Sequence, residues 1–255
     1  MPRYVRFVLI GLHRWGAVTP DGVQCLDGSP YDGGTPRPTG EVLPWDVIQL
    51  EAPCTPSKII GIGRNYADHA AELGNDVPVE PLVFLKPPSA LVAHGGVIRY
   101  PIGQSQLVHH EAELGVIIGR TTRNVAEADA EGHILGYTLV NDVTARDLQR
   151  KDVQFTRAKG FDTFCPVGPW VDTDFKPASQ AIRLTVDGEE RQRATLAQMI
   201  FKVPMVVAYL SRIMTLERGD LIATGTPAGV GPIVPGNVVE VTIEGLGTLT
   251  NRVAE

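Results

Sequence analysis

In the stretch His110-Glu111-Ala112-Glu113-Leu114-Gly115-Val116-Ile117-Ile118, two carboxylates stand two residues apart at the head of an apolar run. Side chains alternate faces along an extended strand, so Glu111 and Glu113 must point the same way if this segment is extended. The run behind them does not alternate, which is the pattern of a strand buried on both faces. Further on, the run Tyr137-Thr138-Leu139-Val140-Asn141 ends at a third carboxylate, Asp142. Two anions side by side on a half-buried face repel, and a divalent cation is the simplest group that makes the arrangement tolerable. Carboxylates without nearby Cys or paired His suit Mg²⁺ or Mn²⁺ over Zn²⁺. Two plainer readings stay open: Glu111 and Glu113 on the solvent face of an edge strand, and Asp142 as the N-cap of a following helix.

A chain of 255 residues suits one large domain, or one large and one small. A chain of this size buries roughly three-quarters of its unfolded surface and needs no disulfide or structural metal to fold. The 27 glycines and 20 prolines point to β-structure, turns and structured loops with few long helices. A net charge of −6 without a Lys/Arg run disfavours nucleic acid and anionic membrane as partners. Cys25, Cys54 and Cys165 are odd in number and widely spaced, which argues against a zinc site or a disulfide framework and for a reduced, cytoplasmic protein. Tyr4 to Leu12 is apolar but short and interrupted by Arg6, so it reads as a strand and not as a signal peptide. No apolar run approaches the length needed to cross a membrane.

Short strands with intervening turns are expected over residues 3–50, with Tyr4–Leu12 and Trp15–Thr19 joined through His13-Arg14. Pro53-Cys54-Thr55-Pro56 reads as a linker, which divides the chain into residues 1–56, small and β-rich, and residues 57–255. Beyond it the pattern predicts a strand over 58–62, a short helix from Tyr66 to Leu73 stopped by Gly74, and a strand from Leu107 to Ile118. A weak helix capped by Asn124 is expected over 125–132, a strand over 134–140 and a helix over 142–153. Asp187-Gly188 signals a hairpin. The strongest helix runs from Val203 to Met214, with Pro204 in its first turn and Val206, Val207, Leu210 and Met214 on one face. Strands are expected over 221–224, 238–243 and 248–253. The fold class is α+β and β-rich.

Three more segments carry chemistry. His69 and Glu72 are i and i+3 neighbours on the predicted short helix, where a carboxylate can orient an imidazole and raise its basicity; an ordinary surface pair has the same spacing. Lys159, between small residues and aromatics, could offset carboxylate charge or bind an anionic substrate, or be a snorkelling surface lysine. The glycine-rich loop Thr224-Gly225-Thr226-Pro227-Ala228-Gly229-Val230-Gly231 lacks the Lys-Ser/Thr pair of a phosphate loop. Its backbone N–H groups and the Thr226 hydroxyl suit a carboxylate better than a nucleotide, and a plain structural turn remains open.

Taken together, Gly63-Arg64-Asn65-Tyr66, His109-His110-Glu111-Ala112-Glu113-Leu114-Gly115, Asn141-Asp142-Val143-Thr144-Ala145-Arg146-Asp147, Arg157-Ala158-Lys159-Gly160-Phe161-Asp162-Thr163, Asp220-Leu221-Ile222-Ala223-Thr224-Gly225-Thr226-Pro227 and Gly229-Val230-Gly231 resemble the fumarylacetoacetate hydrolase family, in the family's order. The resemblance implies a mixed β-sheet roll, often a homodimer, with an Mg²⁺ or Mn²⁺ site. By motif position it makes Glu111, Glu113 and Asp142 the metal ligands and Lys159 the lysine beside the metal. It makes His69 and Glu72 the His-Glu pair of the smaller acylpyruvase-like members, carried on a lid. Arg64, Tyr66, Arg146, Gln149 and Thr226 fall at substrate-holding positions. The N-terminal part is shorter than in the large fumarylacetoacetases and lacks their aspartate ligand, which argues against a role in tyrosine breakdown. Gln198 and Lys202 stand where an acidic residue and a serine are frequent.

The implied function is a metal-dependent enzyme acting on 2,4-dioxo or related 2-oxo acids through a metal-bound enolate, by C–C bond hydrolysis or decarboxylation. The alternatives are a hydroxymuconate-type isomerase of aromatic catabolism and, in another class, a non-catalytic metal-dependent oxo-acid-binding protein.

Overall fold

The structure is a computed structural model that describes residues 3–72, 74 and 76–255. Its largest sheet runs, in spatial order, through the strands Pro38–Leu43, Gly22–Leu26, Leu12–Thr19, Arg3–Leu9, Cys165–Asp172, Ile134–Asn141, Ala112–Ile118, Leu221–Ala223, Ile59–Gly63 and Leu82–Lys86. Most neighbours are antiparallel, but Leu221–Ala223 lies parallel to Ile59–Gly63, and the short strand Leu91–Ala93 adds parallel to Cys165–Asp172. The sheet is therefore mixed, and the molecule is β-rich α+β. A second, five-stranded sheet contains Glu189–Thr195, Ala181–Val186, Val238–Ile243, Gly247–Ala254 and Val97–Arg99. A third joins Thr144–Ala145, Val108–His110 and Gly231–Pro232.

The unbroken apolar runs now have a cause. Along Ala112–Ile118 every residue is buried. Val116 packs into the larger core with Ile60, Leu139, Ile222, Ile182 and the helix residue Val206. Its neighbour Ile117 points the other way, into a second core with Ile59, Val140, Val167 and Leu221. A strand covered on both faces has no solvent side to mark with polar residues. Tyr4, Leu26 and Tyr31 from the N-terminal segment complete the second core.

The helix Val203–Ile213 forms as its pattern requires, with Pro in the first turn and Val206, Val207 and Leu210 buried. The hairpin at Asp187-Gly188 also forms, both residues having positive φ (52° and 82°), as a type I′ turn needs. Several expectations fail. The first hairpin turns at Ile10-Gly11, not His13-Arg14: Leu9 pairs with Leu12, and Ile10 and Gly11 take positive φ. Residues 127–133 form a 3₁₀ helix whose N-cap is Ala126, not Asn124, which takes φ 51°. The helix expected from Asp142 begins only at Arg146, because Thr144-Ala145 pairs with Val108-His109 first. The short helix spans Ala67–Glu72, and Leu73 lies outside the described residues. Among the described residues no helix is long and apolar enough to cross a membrane.

Candidate active site

The expected continuous strand from Leu107 to Ile118 breaks at Glu111. Val108–His110 belongs to the three-stranded sheet and Ala112–Ile118 to the large one, so the chain changes sheets at this carboxylate. The break is held by local bonds: Asp142 N–H donates to the Glu111 carbonyl at 2.9 Å, and Glu111 N–H donates to Asn141 Oδ1 at 2.9 Å. Two ends of neighbouring strands are thereby locked with their carboxylates converging. Oxygen atoms of Glu111, Glu113 and Asp142 lie within 4.8 Å of one another, and all three side chains are buried.

Three buried cations face these anions. Lys159 Nζ donates to Glu111 Oε2 at 2.8 Å and to Asp142 Oδ2 at 2.5 Å. Lys86 Nζ donates to Asp142 Oδ1 at 2.7 Å and to the Val143 carbonyl at 3.2 Å. Arg146 is bonded to Glu111 Oε1 and, at 2.5 Å, to Gln149. Burial alone would raise the Glu111 carboxyl, but Lys159 and Arg146 outweigh it and hold it well below the usual carboxylate range. Burial likewise opposes charge on Lys159, and the Asp142 and Glu111 carboxylates overcome it. Glu113 is different: burial, then Asp142 and Glu111, push its carboxyl well above the usual value, against the opposing pull of Lys159 and a hydrogen bond from Gly225 N–H at 2.7 Å. A cation bound beside it would favour the ionised carboxylate that this site otherwise opposes. An all-oxygen donor set of this kind fits a hard divalent ion.

The same cavity, of about 380 Å³, is also lined by His69 and Glu72 from the short helix. His69 Nδ1 donates to Glu72 Oε2 at 3.2 Å, which leaves Nε2 as the ring's basic nitrogen. The other Glu72 oxygen accepts Gly229 N–H at 3.0 Å, so the glycine-rich loop holds the pair in place. Gly229 has φ +95°, and a Cβ there would stand 2.2 Å from the Arg191 carbonyl, so this turn requires glycine.

Arg64, Arg146, Gln149, Lys159 and Thr226 line the cavity with these groups; Tyr66 does not. Tyr66 is buried in the larger core, its backbone bridged to Met199. Three further residues shape the site without having been expected. Lys86 closes the edge strand Leu82–Lys86 over Asp142. Asn65 is fully buried; its amide donates to the Phe201 and Thr224 carbonyls at 3.0 and 2.7 Å and accepts from Phe201 N–H at 2.7 Å. Gln192, on the hairpin strand Glu189–Thr195, reaches both Ala112 and Thr226. Of these, Lys86 carried a local signal, as a charge at the end of the apolar run Leu82 to Leu85, and Asn65 stood inside the Gly63–Tyr66 motif, while Gln192 lay in none.

Residues 58–254 match the family model described as fumarylacetoacetate (FAA) hydrolase C-terminal, and residues 3–53 match one described as Rv2993c-like, N-terminal. The chain is 51% identical to Protein Rv2993c of Mycobacterium tuberculosis over 86% of this chain and 84% of that one. It is 46% identical to an oxaloacetate decarboxylase of Dictyostelium discoideum, over 76% of this chain and 92% of the relative. Among solved structures, a 2-hydroxyhepta-2,4-diene-1,7-dioate isomerase from Mycobacterium marinum superposes with TM-score 0.91 at 42% identity, covering 100% of this chain and 98% of that one. A fumarylpyruvate hydrolase from Pseudomonas aeruginosa, in complex with Mn²⁺ and pyruvate, superposes with TM-score 0.75 at 38% identity, covering 81% and 91%.

Proposed function

The chain belongs to the fumarylacetoacetate hydrolase family, and from that premise we propose that it is an Mg²⁺- or Mn²⁺-dependent enzyme that cleaves or decarboxylates 2-oxo acids bearing a second carbonyl. The observation that carries this reading is the meeting of two sets in one cavity: the Glu111, Glu113, Asp142 cluster and the His69–Glu72 pair.

Glu111, Glu113 and Asp142 would hold the ion. When bound, it would act as a Lewis acid toward the carboxylate and adjacent oxygen of a 2-oxo acid, stabilising charge that develops as the C–C bond breaks. Lys159 adds positive charge on the same side while neutralising Glu111 and Asp142. Arg64, Gln149 and Thr226 present donors toward an anionic substrate, and Arg146 fixes Glu111. In hydrolysis His69 takes a proton from water through Nε2, while Glu72 steadies the imidazolium that forms. Decarboxylation needs no attacking water. In the isomerase alternative the same pair moves a proton on the substrate, and the marinum isomerase keeps this reading in play. The Dictyostelium decarboxylase and the Pseudomonas hydrolase support the first two chemistries. A purely binding role is disfavoured because the acid–base pair is present and oriented.

We also infer a homodimer, a reducing cytoplasmic setting consistent with three free thiols, and a division into a small β unit over 1–56 and a catalytic unit over 57–255. The test is an activity panel with Mg²⁺ or Mn²⁺ on acetylpyruvate, oxaloacetate, fumarylacetoacetate and a hydroxymuconate-type diacid. Turnover of a 2-oxo acid that is abolished by chelation supports the reading. Retained turnover after complete chelation, or none on any member, overturns it.

A further inference from the structure

Gln192 lies outside every motif that marks the site, yet it is 1% exposed and touches three parts of it. Its Oε1 accepts Ala112 N–H at 3.0 Å, between the two strand glutamates, and lies 3.1 Å from His110 Nδ1. Its Nε2 donates to the Pro227 carbonyl at 2.8 Å and to Thr226 Oγ1 at 2.8 Å. The amide can be oriented only one way, because a backbone N–H can only donate and a carbonyl can only accept. Thr226 Oγ1 is therefore an acceptor toward Gln192. The hydroxyl's own proton finds no acceptor among the described residues, although Thr226 is 2% exposed and lines the cavity.

We propose that Gln192 is a positioning residue that polarises Thr226, holding its hydroxyl proton toward the cavity as a donor to the substrate carboxylate. The inference rests on the oxo-acid reading above. A chain with an acceptor at position 192 would take that proton for itself and present lone pairs to an anion.

Gln192→Glu makes that change. It keeps an acceptor for Ala112 N–H and replaces the donor with a second acceptor. Gln192→Met removes the donor without adding charge. The probes are Mn²⁺, then oxalate on the Mn²⁺-loaded protein, both by calorimetry, after circular dichroism has shown native melting. Gln192→Glu is expected to weaken oxalate about tenfold or more, in the range of a hydrogen bond to a charged group, and Gln192→Met by about threefold, with Mn²⁺ affinity held within about threefold. Thr226→Val should weaken oxalate like Gln192→Glu, and the double variant should be no more than about twofold weaker than Thr226→Val alone, since both act through one hydroxyl. On a substrate that turns over, KM should rise more than kcat falls. Variants that match a binding wild type, additive losses in the double variant, or a parallel loss of Mn²⁺ affinity would each overturn the role of Gln192. Wild-type protein that binds neither probe would instead overturn the functional reading, and the inference with it.

Discussion

Asp142 has no solvent exposure, and two ammonium groups, Lys86 and Lys159, converge on its two oxygens. Removing one partner from buried ions strands the others, which typically costs about 3–5 kcal/mol. Asp142→Ala is therefore expected to lower the thermal midpoint as well as Mn²⁺ affinity, because both lysines lose an anion while the ion loses a ligand. Calorimetry and melting separate the two effects; retained tight Mn²⁺ binding would remove Asp142 from the ligand set. Glu72 makes a cleaner probe, since it is partly exposed and, among the described residues, its ion-pair contact is to His69 alone. Its two oxygens do two jobs, accepting from His69 and from Gly229 N–H. A glutamine offers one carbonyl oxygen and can keep only one of those bonds. Glu72→Gln should lower kcat by roughly 10²–10⁴, the usual span for a general base system, with KM little changed. An unchanged rate on a verified substrate would take the pair out of the mechanism.

The strand Leu221–Ala223 sits between Ala112–Ile118 and Ile59–Gly63 and delivers the loop that carries Gly225 and Thr226. Its entry is fixed by Asp220, which is fully buried. Asp220 Oδ1 accepts from Ser57 N–H, Ser57 Oγ and Lys58 N–H at 2.9, 2.8 and 3.2 Å, and Oδ2 from Lys58 Nζ and Glu217 N–H at 2.5 and 2.7 Å. Asp220→Ala leaves several of those donors unpaired, and we expect a loss of about 3–5 kcal/mol in urea unfolding. A loss under about 1 kcal/mol would mean that water replaces the carboxylate at little cost. How much of this could be read beforehand depends on the range of each contact. The helix Val203–Ile213, the hairpin at Asp187-Gly188 and the doubly buried strand Ala112–Ile118 are written in local periodicity and turn chemistry, and they form. The Glu111/Glu113/Asp142 meeting was legible because the two strands that end there lie next to each other in both sequence and sheet. Gln192 was not legible, and Asn65, although it stands in a quoted motif, gave no sign of what it bonds: their partners lie 34 to 82 and 136 to 159 positions away, and no local pattern encodes a bond across that distance. The break at Glu111 was hidden for the opposite reason, since the flanking residues suit a strand on either side and only the change of sheet interrupts it.

Across the molecule, the seam between the N-terminal segment and the rest is an apolar one. Arg3–Leu9 extends the large sheet by pairing with Cys165–Asp172, and Tyr4, Leu26, Tyr31 and Cys54 share a core with Val140, Cys165, Val167 and Val171. All three cysteines are buried, and burial pushes the Cys165 thiol up to about 12, far from the thiolate form that reacts. Native protein should therefore give essentially no fast reaction with a thiol reagent near pH 8, and three equivalents once unfolded. A chain of residues 57–255 turns Cys165 into a sensor of the seam, because Cys25 and Cys54 are absent from it. Stripping Tyr4, Tyr31 and Cys54 from that core uncovers the face of Cys165–Asp172 on which they pack. The fragment should melt below the full chain, expose apolar surface to a hydrophobic dye, and label Cys165 at a rate that full-length protein does not show. Should it melt with the full chain and keep Cys165 protected, the shared core contributes little, and the N-terminal strands would be a cover laid over a unit already complete in its packing.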